Sequence, residues 1–129
     1  MGRDAPEPKG PPAAPEVDDE LATKIEPAIL CRACRHGIAR PSDRIACAGA
    51  HEHIFRNPSA IDYRVGCFRE ASGVCGWGET STVWSWFPGY AWRVAICGRC
   101  ANHLGWSFTK ETDRFWTLIL DRVVEGDDG

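Results

Sequence analysis

Residues 84–108, WSWFPGYAWRVAICGRCANHLGWSF, decide how the chain is read. Four of the six tryptophans, a C-x-x-C pair and a Pro-Gly corner fall within this one stretch. Phe87-Pro88-Gly89-Tyr90 turns the chain between Trp86 and Trp92, and AWRVAIC beyond it has strand character. Cys97 and Cys100 then form a knuckle, and HLGWSF reads as the next strand, on which Trp106 and Phe108 are two apart and share a face. Several indoles beside a corner exceed what a small core uses, and tryptophan is seldom fully buried. The stretch therefore predicts a walled pocket next to a metal site.

The knuckle needs partners, and they lie far upstream. Cys31 and Cys34 in ILCRACRHG repeat the C-x-x-C spacing, with Gly37 expected to relax the backbone just after it. A lone C-x-x-C is also the spacing of a redox pair, but no helical pattern follows Cys34 as a thioredoxin-like motif requires. Together Cys31, Cys34, Cys97 and Cys100 supply four soft ligands for one tetrahedral Zn2+. Four thiolates leave no open coordination position, so this zinc is read as structural. The 62 residues between the pairs mean that the metal would tie an early loop to a late one. Cys47, Cys67 and Cys75 have no paired spacing and are expected to be buried as small hydrophobes.

Between the knuckles, RIACAGAHEHIF and AIDYRVGCF read as short strands, the second by the alternation of Ile61, Tyr63 and Val65 with Asp62, Arg64 and Gly66. Asn57-Pro58 marks a loop that projects a side-chain amide. His51 and His53 are expected to be ordinary hydrogen-bonded histidines. Residues 71–82, ASGVCGWGETST, read as a loop or loose hairpin, and RFWTLILDRVV as one closing strand. Long helical periodicity is absent, so the fold class is mainly β.

At 129 residues the chain has the length of one domain. Residues 1–26, rich in proline and acid, are expected to form a disordered tail, apart from a short helical turn before Pro27. Residues 27–125 would be the folded domain, and residues 126–129 an acidic tail. The formal charge of −3 arises in the tails: residues 27–126 hold 12 bases against nine acids, an excess too small to indicate a nucleic-acid face. No apolar run reaches the ~20 residues of a membrane span, and the N-terminus has neither an apolar signal core nor the Ser or Thr of a myristoylation motif. A cytoplasmic protein is expected, which makes metal the reason for seven cysteines.

The pocket residues leave two kinds of guest open. A methylated ammonium would gain cation–π energy of ~0.5–2 kcal/mol over the rings. A neutral ring with polarised C–H groups would fill the same box by burial. A methyl-ammonium reader would also need an acid beside the rings, for which Glu79 is the nearest candidate.

SWFPGYAW followed by C-x-x-C and H-x-GW-x-F resembles the thalidomide-binding, or CULT, domain of the cereblon family, over roughly residues 27–125. With no second domain in the sequence, the chain is similar to the stand-alone bacterial members. The resemblance implies a β-tent of two antiparallel sheets pinned by one structural zinc, and a three-tryptophan cage for cyclic imides of the glutarimide or thalidomide type. It would make Trp86, Trp92 and Trp106 the walls and Phe108 the base, with Asn57 and Pro58 on the flanking loop. The carbonyl of Trp84 would accept the imide N–H and the amide of Trp86 would donate to a ring carbonyl, both on the first cage strand. Trp84 stands where animal members have a histidine, so any bond from that imidazole is lost and the backbone contacts remain.

The resemblance thus implies a binding module rather than an enzyme, with small cyclic imides, and protein C-termini bearing them, as partners. The alternative is an enzyme like the B-type methionine sulfoxide reductases, which share a zinc-pinned β architecture. Such an enzyme needs a further nucleophilic cysteine, and the local match at Arg99-Cys100-Ala101-Asn102 uses a cysteine already needed by zinc.

Overall fold

The computed structural model describes residues 28–126. The expected N-terminal tail and helical turn, and residues 127–129, lie outside them. Nine strands form in chain order: β1 Ala28–Cys31, β2 Gly37–Ala39, β3 Glu52–Arg56, β4 Asp62–Phe68, β5 Val74–Ser81, β6 Ala91–Cys97, β7 His103–Lys110, β8 Asp113–Ile119 and β9 Val123–Gly126. They make two antiparallel sheets, a small one ordered β2-β1-β9 and a large one ordered β3-β4-β8-β7-β6-β5. Fold class and sheet number agree with the expectation.

The large sheet separates two cores by period-two alternation, except on β7, where a register shift against Ala95 and Ile96 turns Leu104 to the face opposite Trp106 and Phe108. Phe68, Val74, Ala95, Cys97, Leu104 and Leu118 face the small sheet and pack on its Ile29, Cys31, Ile38, Ala39 and Val123. The neighbouring residues Cys67, Phe108 and Phe115 point the other way and pack with Phe87, flanked by Phe55, Trp86, Tyr90, Trp92 and Trp106. One core is aliphatic and closed between sheets. The other is aromatic and only partly covered.

Close backbone approach fixes the joint between the sheets. The Gly73 amide donates to the Ile38 carbonyl at 2.9 Å, and the Gly73 carbonyl accepts from Gly98 at 2.9 Å. A Cβ on Gly73 would lie 1.9 Å from the Gly37 carbonyl oxygen, so only glycine fits there. Gly105 is equally constrained, because a Cβ would come within 1.8 Å of the Thr117 carbonyl on β8.

Several local expectations are corrected. Residues 74–81 are strand, not loop: β5 pairs with β6 despite its Gly and Ser content, because it needs only one neighbour as an edge. Of RIACAGAHEHIF only the last four residues are strand, within β3 Glu52–Arg56, and the preceding residues are held by the isolated bridges Arg44–Phe68 and Cys47–Ala50. His51 and His53 do hydrogen-bond in this region, to the Ile45 carbonyl at 3.0 Å and the Cys47 carbonyl at 2.8 Å. The run RFWTLILDRVV is split by a 3-10 turn at Leu120–Arg122, so β8 ends in the large sheet and β9 enters the small one. β9 runs through Gly126, one residue past the expected boundary.

Candidate metal centre and aromatic cavity

The two knuckles are local copies of one backbone design. In the first, Cys31 N donates to the His36 carbonyl at 2.8 Å and Arg35 N to the Cys31 carbonyl at 2.8 Å. In the second, Cys97 N donates to the Asn102 carbonyl at 2.8 Å and Ala101 N to the Cys97 carbonyl at 3.0 Å. Each turn closes through one left-handed residue, Arg35 at φ 68° and Ala101 at φ 67°. The relaxation expected of Gly37 is therefore made at Arg35, and Gly37 instead opens β2.

β1 delivers the first knuckle from the small sheet and β6 the second from the large one. The four sulfurs of Cys31, Cys34, Cys97 and Cys100 all lie within 4.8 Å of one another. Cys31 and Cys100 are 3.7 Å apart, and Cys34 and Cys97 are 3.6 Å apart. A tetrahedron with metal–sulfur bonds of about 2.3 Å has edges of about 3.8 Å, so the cluster fits one tetrahedral ion. Burial raises the Cys97 thiol, but backbone N–H groups of Cys100 and Arg99, with sulfur contacts from Cys34 and Cys100, bring it down to about 7. Cys34 and Cys100 are shifted the other way, upward, so it is the four-sulfur geometry that makes the cluster a cation site.

On the opposite face of the large sheet lies a cavity of about 490 Å³. It brings together Asn57, Pro58, Trp84, Trp86, Trp92, Trp106 and Phe108, all seven of the residues singled out in the sequence. Trp92 on β6 pairs with Phe108 on β7, which places both on one face beside Trp106. Phe108 is 1% exposed and forms the floor. Trp86 and Trp106 meet edge to face, with centroids 4.7 Å apart and planes at 74°. Both indoles are braced by further rings: Phe55 stacks on Trp86 at 4.8 Å, and Tyr63 and His103 meet Trp106 at 5.2 and 4.7 Å. Two indole N–H groups are spent on the frame, Trp86 on the Arg56 carbonyl at 3.3 Å and Trp92 on the Val83 carbonyl at 2.7 Å.

Trp84 and Trp86 stand on the irregular segment between β5 and β6, not on a strand. A strand would have paired their backbone. Among the described residues neither the Trp84 carbonyl nor the Trp86 amide has a hydrogen-bond partner, which leaves one acceptor and one donor unpaired on two residues that line the cavity. Asn57 also differs from expectation. Its Oδ1 accepts from Ser59 N and Ile61 N, each at 2.9 Å, so the side chain staples its own loop and only its NH₂ is free for other contacts.

Sequence reasoning missed Tyr63, Ser81, Val83, Val94 and His103 in the lining. Cross-strand register was the needed signal, since Val94 pairs with Trp106 and Ser81 with Trp92. Burial lowers the His103 pKa, with the Gly105 carbonyl opposing and Arg122 adding to the shift, so the ring at the cavity wall favours its neutral form. Glu79 does not line the cavity. Cys67 is buried as expected, but Cys47 is half-buried and Cys75 exposed on the edge strand. A polar cleft of about 430 Å³ elsewhere holds Arg69 and Asp113, already paired at 3.0 Å.

Among the described residues no helix is long and apolar enough to cross a membrane. No protein-family model matches the chain. The cereblon of Drosophila virilis is 36% identical over 92 residues, covering 69% of this chain and 14% of that protein. Gallus gallus cereblon is 45% identical over 60 residues, 40% of this chain and 14% of that one, and Danio rerio cereblon 35% identical over 82 residues, 57% and 19%. The chain thus spans less than a fifth of the length of these relatives. In fold it is similar to the Mis18 'Yippee-like' domain, with a TM-score of 0.54 at 12% identity over 81% of this chain and 98% of that one. That second likeness concerns architecture alone. The shared sequence, the two sheets and the four-cysteine joint between them make the folded part of this chain a cereblon-like domain of the CULT type.

Proposed function

We propose that the domain is a non-enzymatic binding module for small cyclic imides, held together by one structural zinc ion. The observation that carries this reading is the convergence of Trp86, Trp92 and Trp106 on one cavity above Phe108, with an unpaired carbonyl and amide at its side. A flat ring with methylene groups fits between indole faces by burial. Its N–H and one carbonyl find complementary groups in the Trp84 carbonyl and the Trp86 amide. No acidic side chain lines the cavity, which favours a neutral guest over a methylated ammonium. Glutarimides are the expected small-molecule class, and protein C-termini that end in a cyclic imide would present the same ring. The cytoplasm, where thiols stay reduced, is the compartment that suits the cysteine content.

Zinc is the ion that suits four cysteines at these separations. Cys31, Cys34, Cys97 and Cys100 would hold it as a closed site that supplies folding energy and no chemistry. Two of the remaining thiols are poorly suited to act as nucleophiles: burial, reinforced by Cys47, pushes the Cys67 thiol up to about 12, and burial raises the Cys47 thiol as well.

Tryptophan emission followed during titration with glutarimide tests the reading. A saturable change is expected, and Trp92→Ala or Trp106→Ala should abolish it while the chain stays folded. No response at millimolar imide would overturn the proposal.

A further inference from the structure

The large sheet has two edges, and they differ. β3 is short, carries Glu52 and Arg56, and is flanked by the ion pairs Arg56–Asp62 and Arg64–Glu52. Charges of this kind keep other strands away. β5 has no proline or lysine, and Glu79 is its one charged residue. Trp77 stands on it 63% exposed, and Cys75, two residues before, is exposed on the same face.

The pairing to β6 determines which backbone groups of β5 are open. Gly98 N donates to the Gly73 carbonyl at 2.9 Å, one step before the Val74–Cys97 and Cys75–Ile96 pairs. Bonding alternates along an antiparallel ladder, so Cys75 and Trp77 turn their amides and carbonyls to β6, while Val74 and Gly76 turn theirs outward. Val74 N donates to the Ala71 carbonyl at 3.2 Å. That leaves the Val74 carbonyl and both backbone groups of Gly76 at the edge, without partners among the described residues. Past Trp77 the register shifts and Gly78 has a φ of 81°, so the regular edge ends there.

One side chain sets the chemistry of this edge. Arg93 lies across the face of Gly76, where a Cβ would be 2.6 Å from its Nη1, and its Nε donates to the Gly78 carbonyl at 2.8 Å. Arg44, Arg56, Arg64 and Arg69 each have a carboxylate partner, but among the described residues Arg93 has none. A strand laid on the edge would place one residue opposite Gly76, with its side chain on the Arg93 face. The residues flanking it would meet Cys75 and Trp77 on the other face.

We propose that the β5 edge binds an extended peptide strand with an acidic residue opposite Gly76 and apolar, β-branched residues on either side. Main-chain bonds to Val74 and Gly76 hold the strand, Arg93 takes the carboxylate and Trp77 the apolar neighbour. None of Cys75, Gly76, Trp77 and Arg93 lines the aromatic cavity, so this surface is separate from the imide site. A second copy of this chain fits less well: two antiparallel β5 strands would offer glycine where the acid belongs and bring two Arg93 guanidinium groups together.

The test is an NMR titration of the full chain with a short blocked peptide that alternates valine with glutamate, and with its counterpart carrying lysine in place of glutamate. The Gly76 amide should shift saturably, and the glutamate peptide should bind about three- to tenfold tighter than the lysine peptide. In Arg93→Gln that ratio should fall to near one, and Gly76→Pro, which removes the outward N–H, should bind neither peptide. No shift at Gly76 with millimolar peptide, or an unchanged ratio in Arg93→Gln, overturns the proposal. So does a shift at Gly76 on concentrating the chain alone, which would give the edge to a second copy. Thermal melts separate a lost edge from a lost fold, and Arg93→Gln carries the test should Gly76→Pro fail to fold.

Discussion

The two faces of the six-stranded sheet are built from alternate residues of the same strands and are put to opposite uses. Toward the small sheet, Ala95, Leu104 and Leu118 are fully buried and the four cysteines join the two layers. Toward the other side, Trp92 and Trp106 come from those same strands but stay half-exposed around a cavity. A closed face can be stabilised fully because nothing has to enter it. An open face must keep large rings upright without a core on top of them, and here Phe55, Tyr63, His103 and two indole N–H bonds do that holding. The difference teaches that residues along β6 and β7 either close the layer between the sheets or line the cavity, so substitutions on the two faces should differ in their effects.

The largest expected effect tests the closed face. Structural zinc in small domains is worth about 10–16 kcal/mol in apparent binding energy, and whole domains are stable by about 5–15 kcal/mol. Cys97→Ser, or a strong chelator, should therefore unfold the chain, seen as loss of far-ultraviolet circular dichroism and of NMR dispersion, and elemental analysis should give one zinc per chain. A metal-free chain that remains folded would break the comparison. Next comes Trp106→Ala, which should cost about 1–3 kcal/mol in urea denaturation, less than a fully buried ring, while imide binding disappears. If it unfolds the chain as Cys97→Ser does, the faces are not separable.

Tyr90→Phe should act more weakly. Its hydroxyl donates to Asp113 Oδ2 at 2.6 Å, and Arg69 holds the other oxygen at 3.0 Å, so the bond anchors the SWFPGY turn to β8. Hydrogen exchange should quicken in residues 85–90 with little change in melting temperature, and an unchanged exchange pattern would show that the turn is held by its serine bonds alone. The smallest effect is a pH dependence. His103 has a folded pKa below its ordinary 6.5, so as pH falls from that value the unfolded chain takes up the proton first. Stability should decline on acidification through this range, and His103→Gln should flatten that part of the curve.

Legibility in the sequence followed the same division. Both knuckles were readable because C-x-x-C is a local spacing, and the box was readable because large aromatics are dense around one corner. What escaped depends on distant pairing. β5 looks like a loop because Gly76, Gly78 and Ser81 lower its strand propensity, yet edge pairing to β6 suffices. The switch of β9 into the small sheet has no breaker residue to announce it, since Leu120–Arg122 reads as more strand. Val94 and His103 enter the cavity only through register with Trp106 and through ring contact. The left-handed Arg35 and Trp84 have no compositional cue at all, because neither is the glycine such a position favours.

The central claim is that the open face recognises an imide ring by its N–H as well as by its shape. Calorimetric titration of the zinc-loaded chain with glutarimide and with N-methylglutarimide addresses it most directly. One-to-one binding of glutarimide, with the N-methyl compound failing to bind, is the predicted result. Equal binding of both, or no heat from either, would contradict the account.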